Sequence, residues 1–152
     1  REVFELLKET GMKCNIEFKT GVYEYPDIER KVLSLIDEFG FRDRIIVSSF
    51  NHFTCCRFKE LAPDVKIGFL EESWLIHPGA YTRARGAECF HPFFNMLNHE
   101  NMQDLRNNGI EINAWTINDE KDMRKALKLQ LEIGITNWPD KFLELRKEYC
   151  GK

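Results

Sequence analysis

Apolar positions along this chain recur in two alternating rhythms, a helical spacing of three to four residues and, between the helical stretches, either a period of two or a short continuous apolar run. Ile28, Val32, Leu35, Ile36 and Phe39 form one apolar stripe. Pro26 suits a first helical position, Asp27 and Glu29 suit the N-terminal dipole, and Gly40 supplies the stop. Ahead of this helix, Arg1 to Thr10 reads as a short helix stopped by Gly11, and Lys13 to Lys19 as a strand. Ile45 to Phe50 is a β-branched strand of the buried kind, followed by a helix from about Asn51 to Leu61 that Pro63 ends. Lys66 to Leu70 is a further strand, Trp74 to Arg85 an irregular or short helical excursion around Pro78-Gly79, and Ala87 to Phe90 another strand before His91-Pro92. The rhythm then repeats: a helix from about Asn95 to Asn107, a strand Ile110 to Ile117, a helix capped by Asn118 or Asp119, a strand Ile133 to Thr136, and a last helix from Pro139 to about Tyr149.

Six strand-like segments separated by helices, with no low-complexity linker, predict one α/β domain over residues 1–152 with a parallel sheet and right-handed crossovers. A doubly wound sheet and a (β/α)8 TIM barrel both satisfy that alternation. The barrel is favoured because polar and aromatic residues fall late in successive strands: Glu17 and Lys19, Ser49 and Phe50, His91, then Trp115 and Asn118.

The strand Lys13 to Lys19 carries the sharpest chemistry. Cys14, Ile16 and Phe18 alternate with Asn15, Glu17 and Lys19, so the apolar set packs on a helix layer and the polar set points into a barrel or cleft. A carboxylate and an ammonium on one inward face suit a site that handles a cation and an anion together, and an internal ion pair is the competing explanation. The other candidates have plainer readings beside them. Ser49 could donate to a phosphate oxygen or satisfy backbone; His91 could face the barrel mouth or cap a loop; His52 and Cys55-Cys56 fit helix packing.

Composition removes several function classes. In 152 residues, 43% are hydrophobic and 31% charged, enough for a real core and too apolar for disorder. A net charge of -3 with scattered Lys and Arg gives no basic field for nucleic acid. No apolar run approaches the roughly 20 residues that span a bilayer, and Arg1-Glu2-Val3-Phe4-Glu5 is not a signal peptide, so a cytoplasmic protein is expected; a leader ahead of Arg1 would redirect it to secretion. Five cysteines, an odd number including the pair Cys55-Cys56, make neither a disulfide framework nor a zinc site.

Asn15-Ile16-Glu17-Phe18-Lys19, Ile45 to Phe50, Lys66 to Leu70, Ala114-Trp115-Thr116-Ile117-Asn118 and Gly134 to Asp140, taken in series, resemble the ordered motifs of the glycerophosphodiester phosphodiesterase family. The resemblance covers essentially the whole chain. It implies a (β/α)8 barrel related to the phosphoinositide-specific phospholipase C catalytic domain, with these strands as the third to the eighth. It also implies metal-dependent hydrolysis of a glycerophosphodiester to glycerol 3-phosphate and an alcohol. By the same resemblance Glu17 matches a metal-ligand glutamate for a divalent cation, magnesium or calcium; Lys19 matches the lysine beside the phosphate; and Trp115 matches the aromatic near the glycerol moiety. A hard cation wants carboxylate oxygens, and the charge developing on phosphoryl oxygens is stabilised by that cation and a fixed ammonium.

The family's "HRG", "E-x-D" and "HD" motifs have no counterpart here and fall upstream of Arg1, so the catalytic histidine pair lies outside this chain, and none of His52, His77, His91 and His99 sits in a matching motif. The chain, which also begins without Met, is therefore expected to be a fragment and inactive alone. A barrel lacking two strands exposes parallel edges, to be covered by the missing N-terminal segment, by a partner chain or by self-association. The alternative is a non-catalytic phosphate-binding or assembly module that retains the scaffold.

Overall fold

A computed structural model describes residues 1–151. Its strands are β1 (Cys14–Glu17), β2 (Ile45–Ser49), β3 (Lys66–Glu71), β4 (Cys89–Pro92), β5 (Glu111–Ala114) and β6 (Ile133–Gly134). All neighbours pair in parallel, in the order β1-β2-β3-β4-β5-β6. That order decides between the two architectures the alternation permits. A doubly wound sheet reverses direction at its first strand, whereas strictly sequential order is that of a barrel wall. The wall is a curled half-barrel, because the ring of Phe50 at the end of β2 meets Trp115 at the end of β5, three strands away, with centroids 5.6 Å apart.

The helices are α1 (Glu2–Lys8), α2 (Ile28–Phe39), α3 (His52–Leu61), α4 (Pro78–Ala84), α5 (His99–Asn107), α6 (Glu120–Lys128) and α7 (Pro139–Cys150). They cover one face of the sheet. Phe18, Val47, Ile67, Phe69, Ile112 and Ala114 point to that face and pack with Ile36, Phe58, Leu105 and Met123 of the helices. Each such fully buried side chain contributes about 2 kcal/mol of transfer free energy. Ile46, Leu70 and Cys89 are also buried but stand apart from this core, since the period of two turns them to the inside of the curl.

The expected elements are all present, with shifted ends. The helix expected to begin at Pro26 begins at Ile28, because Asp27 takes a left-handed φ of 61° and an Ile28 N–H to Tyr25 carbonyl bond closes a turn around Pro26. Gly40 is the left-handed stop (φ 66°), as its position suggests. The strand expected over Ala87–Phe90 lies two residues later and contains His91 and Pro92. The segment Trp74–Arg85 contains a true helix with Pro78 at its start, and the helix expected from Asn95 is a 3-10 turn, Phe94–Met96, followed by α5 behind an Asn98–Asn101 capping box. The cysteines are free; Cys55 and Cys89 are buried, and burial pushes both thiols up to about 12, which leaves them inert at neutral pH. Among the described residues no helix is long and apolar enough to cross a membrane.

Candidate functional site

The inner face of the curl is polar from its N-terminal end upward. Lowest lie Lys66, paired with Glu111, and Cys89, whose thiol donates to the same carboxylate at 3.5 Å. Lys59 of α3 pairs with Glu88, the residue before β4. One step up, Asn15 Nδ2 donates to Ser48 Oγ at 3.0 Å, and the His91 ring lies over Gly68. A side chain at Gly68 would place its Cβ 2.6 Å from His91 Cδ2, so only glycine leaves room for the imidazole there. At the C-terminal rim stand Glu17, Lys19, Phe50, Phe93 and Trp115.

Glu17 ends β1 opposite Ser48, on the inward face that the alternation assigns to it. Lys19 lies just beyond the strand and reaches back, its Nζ donating to Glu17 Oε1 at 2.9 Å. The lysine side chain is 78% exposed and the glutamate's 30%. The pair is thus an ion pair at an open rim, where the net contribution to stability is about 0–1 kcal/mol. Such a lysine can exchange its partner for an anion at little energetic cost. Trp115 is half-buried; its indole N–H donates to the His91 carbonyl at 2.7 Å, and its ring meets Phe50 edge-on and Phe93 at 5.4 Å. The structure therefore brings Glu17 and Lys19 together on one strand end and Trp115 into an aromatic group that includes a half-exposed Phe50. The Phe50–Trp115 contact was not foreseeable from sequence, because β2 and β5 are not neighbours.

The remaining candidates take the plainer roles. Ser49 Oγ donates to the Phe18 carbonyl at 2.5 Å and accepts from Asn51 N–H. Asn118 Oδ1 accepts from Asn137 N–H at 3.0 Å, tying the loop after β5 to the loop after β6, while Asp119 is the residue that precedes α6. Cys55 packs in the core. His52 spans two elements, with one ring nitrogen at the Leu70 carbonyl and the other at the Tyr81 hydroxyl.

His91 is no loop residue. It is 1% exposed, with Nε2 3.0 Å from Asn113 Nδ2, an arrangement in which the amide donates and the imidazole accepts. Among the described residues, His91 Nδ1 and Asn113 Oδ1 meet no hydrogen-bond partner. Burial pushes the His91 pKa from 6.5 down to about 4, with Glu111 opposing weakly. A folded-state value below the unfolded one means that the unfolded chain binds the extra proton first. The stability contribution is then fully present above pH 6.5 and is lost as the pH falls toward 4, by about 3 kcal/mol at most. Urea unfolding at pH 7 and pH 5 is expected to show a larger loss for the parent than for His91→Gln, which has nothing to titrate there. Equal losses in the two proteins would refute this.

A metal ion fits this chain only in part. Glu17 offers one hard oxygen ligand, but among the described residues no group of three or more His, Cys, Asp or Glu is placed to hold an ion, and six or more oxygens are needed for calcium or magnesium.

Comparison with known proteins agrees with the half-barrel fold. The chain is 35% identical over 144 residues to a glycerophosphodiester phosphodiesterase of Caldanaerobacter subterraneus subsp. tengcongensis, covering 95% of this chain and 59% of that protein. A solved structure from Silicibacter pomeroyi superposes with a TM-score of 0.90 at 16% identity, over 98% of this chain and 56% of the other. An Oleispira antarctica phosphodiesterase, solved in complex with the product sn-glycerol-3-phosphate, superposes with a TM-score of 0.77 at 21% identity, over 95% of this chain and 59% of the other. The chain thus spans somewhat over half the length of these relatives. Residues 1–141 match the model of the glycerophosphoryl diester phosphodiesterase family, which establishes that the chain belongs to that family.

Proposed function

We propose that this chain supplies the third to eighth βα units of a barrel that hydrolyses glycerophosphodiesters to glycerol 3-phosphate and an alcohol. The observation that carries the proposal is the Glu17–Lys19 pair at an open strand end, on the same rim as the Phe50–Trp115 aromatic contact. A glycerophosphodiester needs both surfaces: charge for the phosphoryl group and an apolar wall for the glycerol carbons. In the reaction, water adds to phosphorus, the bond from phosphorus to the alcohol oxygen breaks, and the proton lost by water ends on the alcohol. Lys19, released from Glu17, neutralises the non-bridging phosphoryl oxygens as their charge grows, and Trp115 with Phe50 holds the glycerol against the mouth.

Magnesium or calcium would supply Lewis-acid polarisation of the phosphoryl group. Glu17 would contribute one ligand, and the other oxygen ligands, like the acid and base, would come from outside the described residues. None of the four histidines of this chain is assigned those roles. His91 is buried and neutral, and His52 is committed to the Leu70 carbonyl and Tyr81.

The test is release of glycerol 3-phosphate from glycerophosphocholine with added magnesium or calcium, comparing residues 1–152 with the protein as encoded in full. Activity is expected in the full protein and not in the 152-residue chain. A silent full protein would remove the hydrolase reading for this substrate, and an active short chain would overturn the assignment of acid, base and remaining ligands to other parts of the protein.

A further inference from the structure

Phe50 is 46% exposed and touches Trp115 across the interior. What fixes it is the backbone on either side. Ser49 is held by its hydroxyl to the Phe18 carbonyl at 2.5 Å. Asn51 Nδ2 donates to the Thr20 carbonyl at 3.1 Å, one residue beyond Lys19, while Asn51 Oδ1 caps α3 by accepting from Thr54 N–H at 3.4 Å. His52, the first residue of α3, faces the other way. Its Nε2 is 3.0 Å from the Leu70 carbonyl at the end of β3, and its Nδ1 is 2.9 Å from the Tyr81 hydroxyl of α4. A carbonyl can only accept, so Nε2 carries the hydrogen and Nδ1 accepts from tyrosine. The ring also stacks on the fully buried Phe69, with centroids 4.3 Å apart. The turn carrying Phe50 is therefore strung between the arm that bears Lys19 and the end of β3.

Resting on the phosphodiesterase reading, we infer that Asn51 and His52 are positioning residues for substrate binding: together they set Phe50 against Trp115 and so shape the apolar wall of the mouth. A helix-start histidine that served only stability could have bonded solvent or its own helix. This one reaches two other elements, and the exposed aromatic lies between the anchored Ser49 and the anchored pair Asn51-His52. The role acts on substrate through Phe50, which makes it separable from a general contribution to folding. Once Phe50 is removed, there is nothing left for His52 to position.

The test uses the protein as encoded in full and a two-by-two set of Phe50→Ala and His52→Ala. Each single variant is expected to raise KM for glycerophosphocholine roughly fivefold with kcat nearly unchanged, and the double variant to be no worse than Phe50→Ala alone. His52→Gln, which keeps a donor within reach of the Leu70 carbonyl, is expected to restore most of the loss. A second readout needs no activity. In 5-fluorotryptophan-labelled protein, the Trp115 resonance, assigned by its disappearance in Trp115→Phe, feels the ring current of Phe50. His52→Ala is expected to move it toward its position in Phe50→Ala. A Trp115 resonance unmoved by His52→Ala, or KM effects that add fully in the double variant, would overturn the inference. A protein with no activity in which the resonance still moves would instead remove the substrate reading and keep the positioning.

Discussion

Gly79→Ala is expected to lower stability by about 3 kcal/mol, although alanine is the better helix former by about 1 kcal/mol. Gly79 lies in the first turn of α4, where it meets α5 backbone to backbone. A Cβ there would stand 2.7 Å from the Asp104 carbonyl carbon and 2.8 Å from Leu105 Cα. Neither atom belongs to a flexible side chain, so relief requires the two helices to part. Parting them also stretches the cap that Asp104 provides, since its Oδ2 accepts from Gly79 N–H at 2.6 Å and from Ala80 N–H at 3.3 Å. Gly134→Ala is the control. Its Cβ would press on the ring of Phe142, with Cζ at 2.8 Å, and a ring can turn aside. Urea unfolding should show a fall in midpoint at unchanged slope, larger for Gly79→Ala than for Gly134→Ala. The reverse order would show that the α4–α5 contact yields more readily than its geometry implies.

In the protein as encoded in full, Glu17→Gln is expected to lower kcat by about 100- to 1,000-fold on glycerophosphocholine, the size usual for removing one preorganised electrostatic group from a transition state. The amide keeps the shape of the carboxylate and can still accept from Lys19, so the loss would isolate the charge. Lys19→Met should cost a similar factor by removing the ammonium while keeping its stem. The two should not add: the double variant is expected to be little worse than either single, because both groups act on one phosphoryl centre. Neither change should move thermal stability by more than about 1 kcal/mol, since the pair lies at an exposed rim. Wild-type turnover in Glu17→Gln would sink the placement of the site on this strand end. A fall in activity matched by a fall in stability would show instead that the pair holds the loop.

The apolar pattern carried most of the fold because the wall is built from local repeats. The stripe from Ile28 to Phe39 buries one face of α2, and the alternation Cys14, Ile16, Phe18 does face the helices. The pattern misplaced β4, for a reason rooted in parallel pairing. Proline usually marks the end of a strand, yet Pro92 stays in the ladder because the bonds on either side are made without its missing N–H. The N–H of Phe93 donates to the Glu71 carbonyl at 2.9 Å, and the Pro92 carbonyl accepts from Trp115 N–H at 3.1 Å. With β4 two residues later than expected, His91 moves from a loop into the interior. In the candidate site, Glu17 and Lys19 were legible because they lie two residues apart at one strand end, although β1 itself stops at Glu17. The partners of Trp115 and the anchors of Asn51 and His52 were not, because they join elements 18 to 65 residues apart, and no local spacing encodes such meetings.

The Phe50–Trp115 contact also sets the dielectric landscape of the rim. Two aromatic rings meeting edge-on across the curl place an apolar, low-dielectric surface on the same rim as the charged pair. Water still reaches both charges, Lys19 more freely than Glu17. A bound organic phosphate would remove that remaining water as it arrives, so the field acting on its phosphoryl oxygens strengthens upon binding itself.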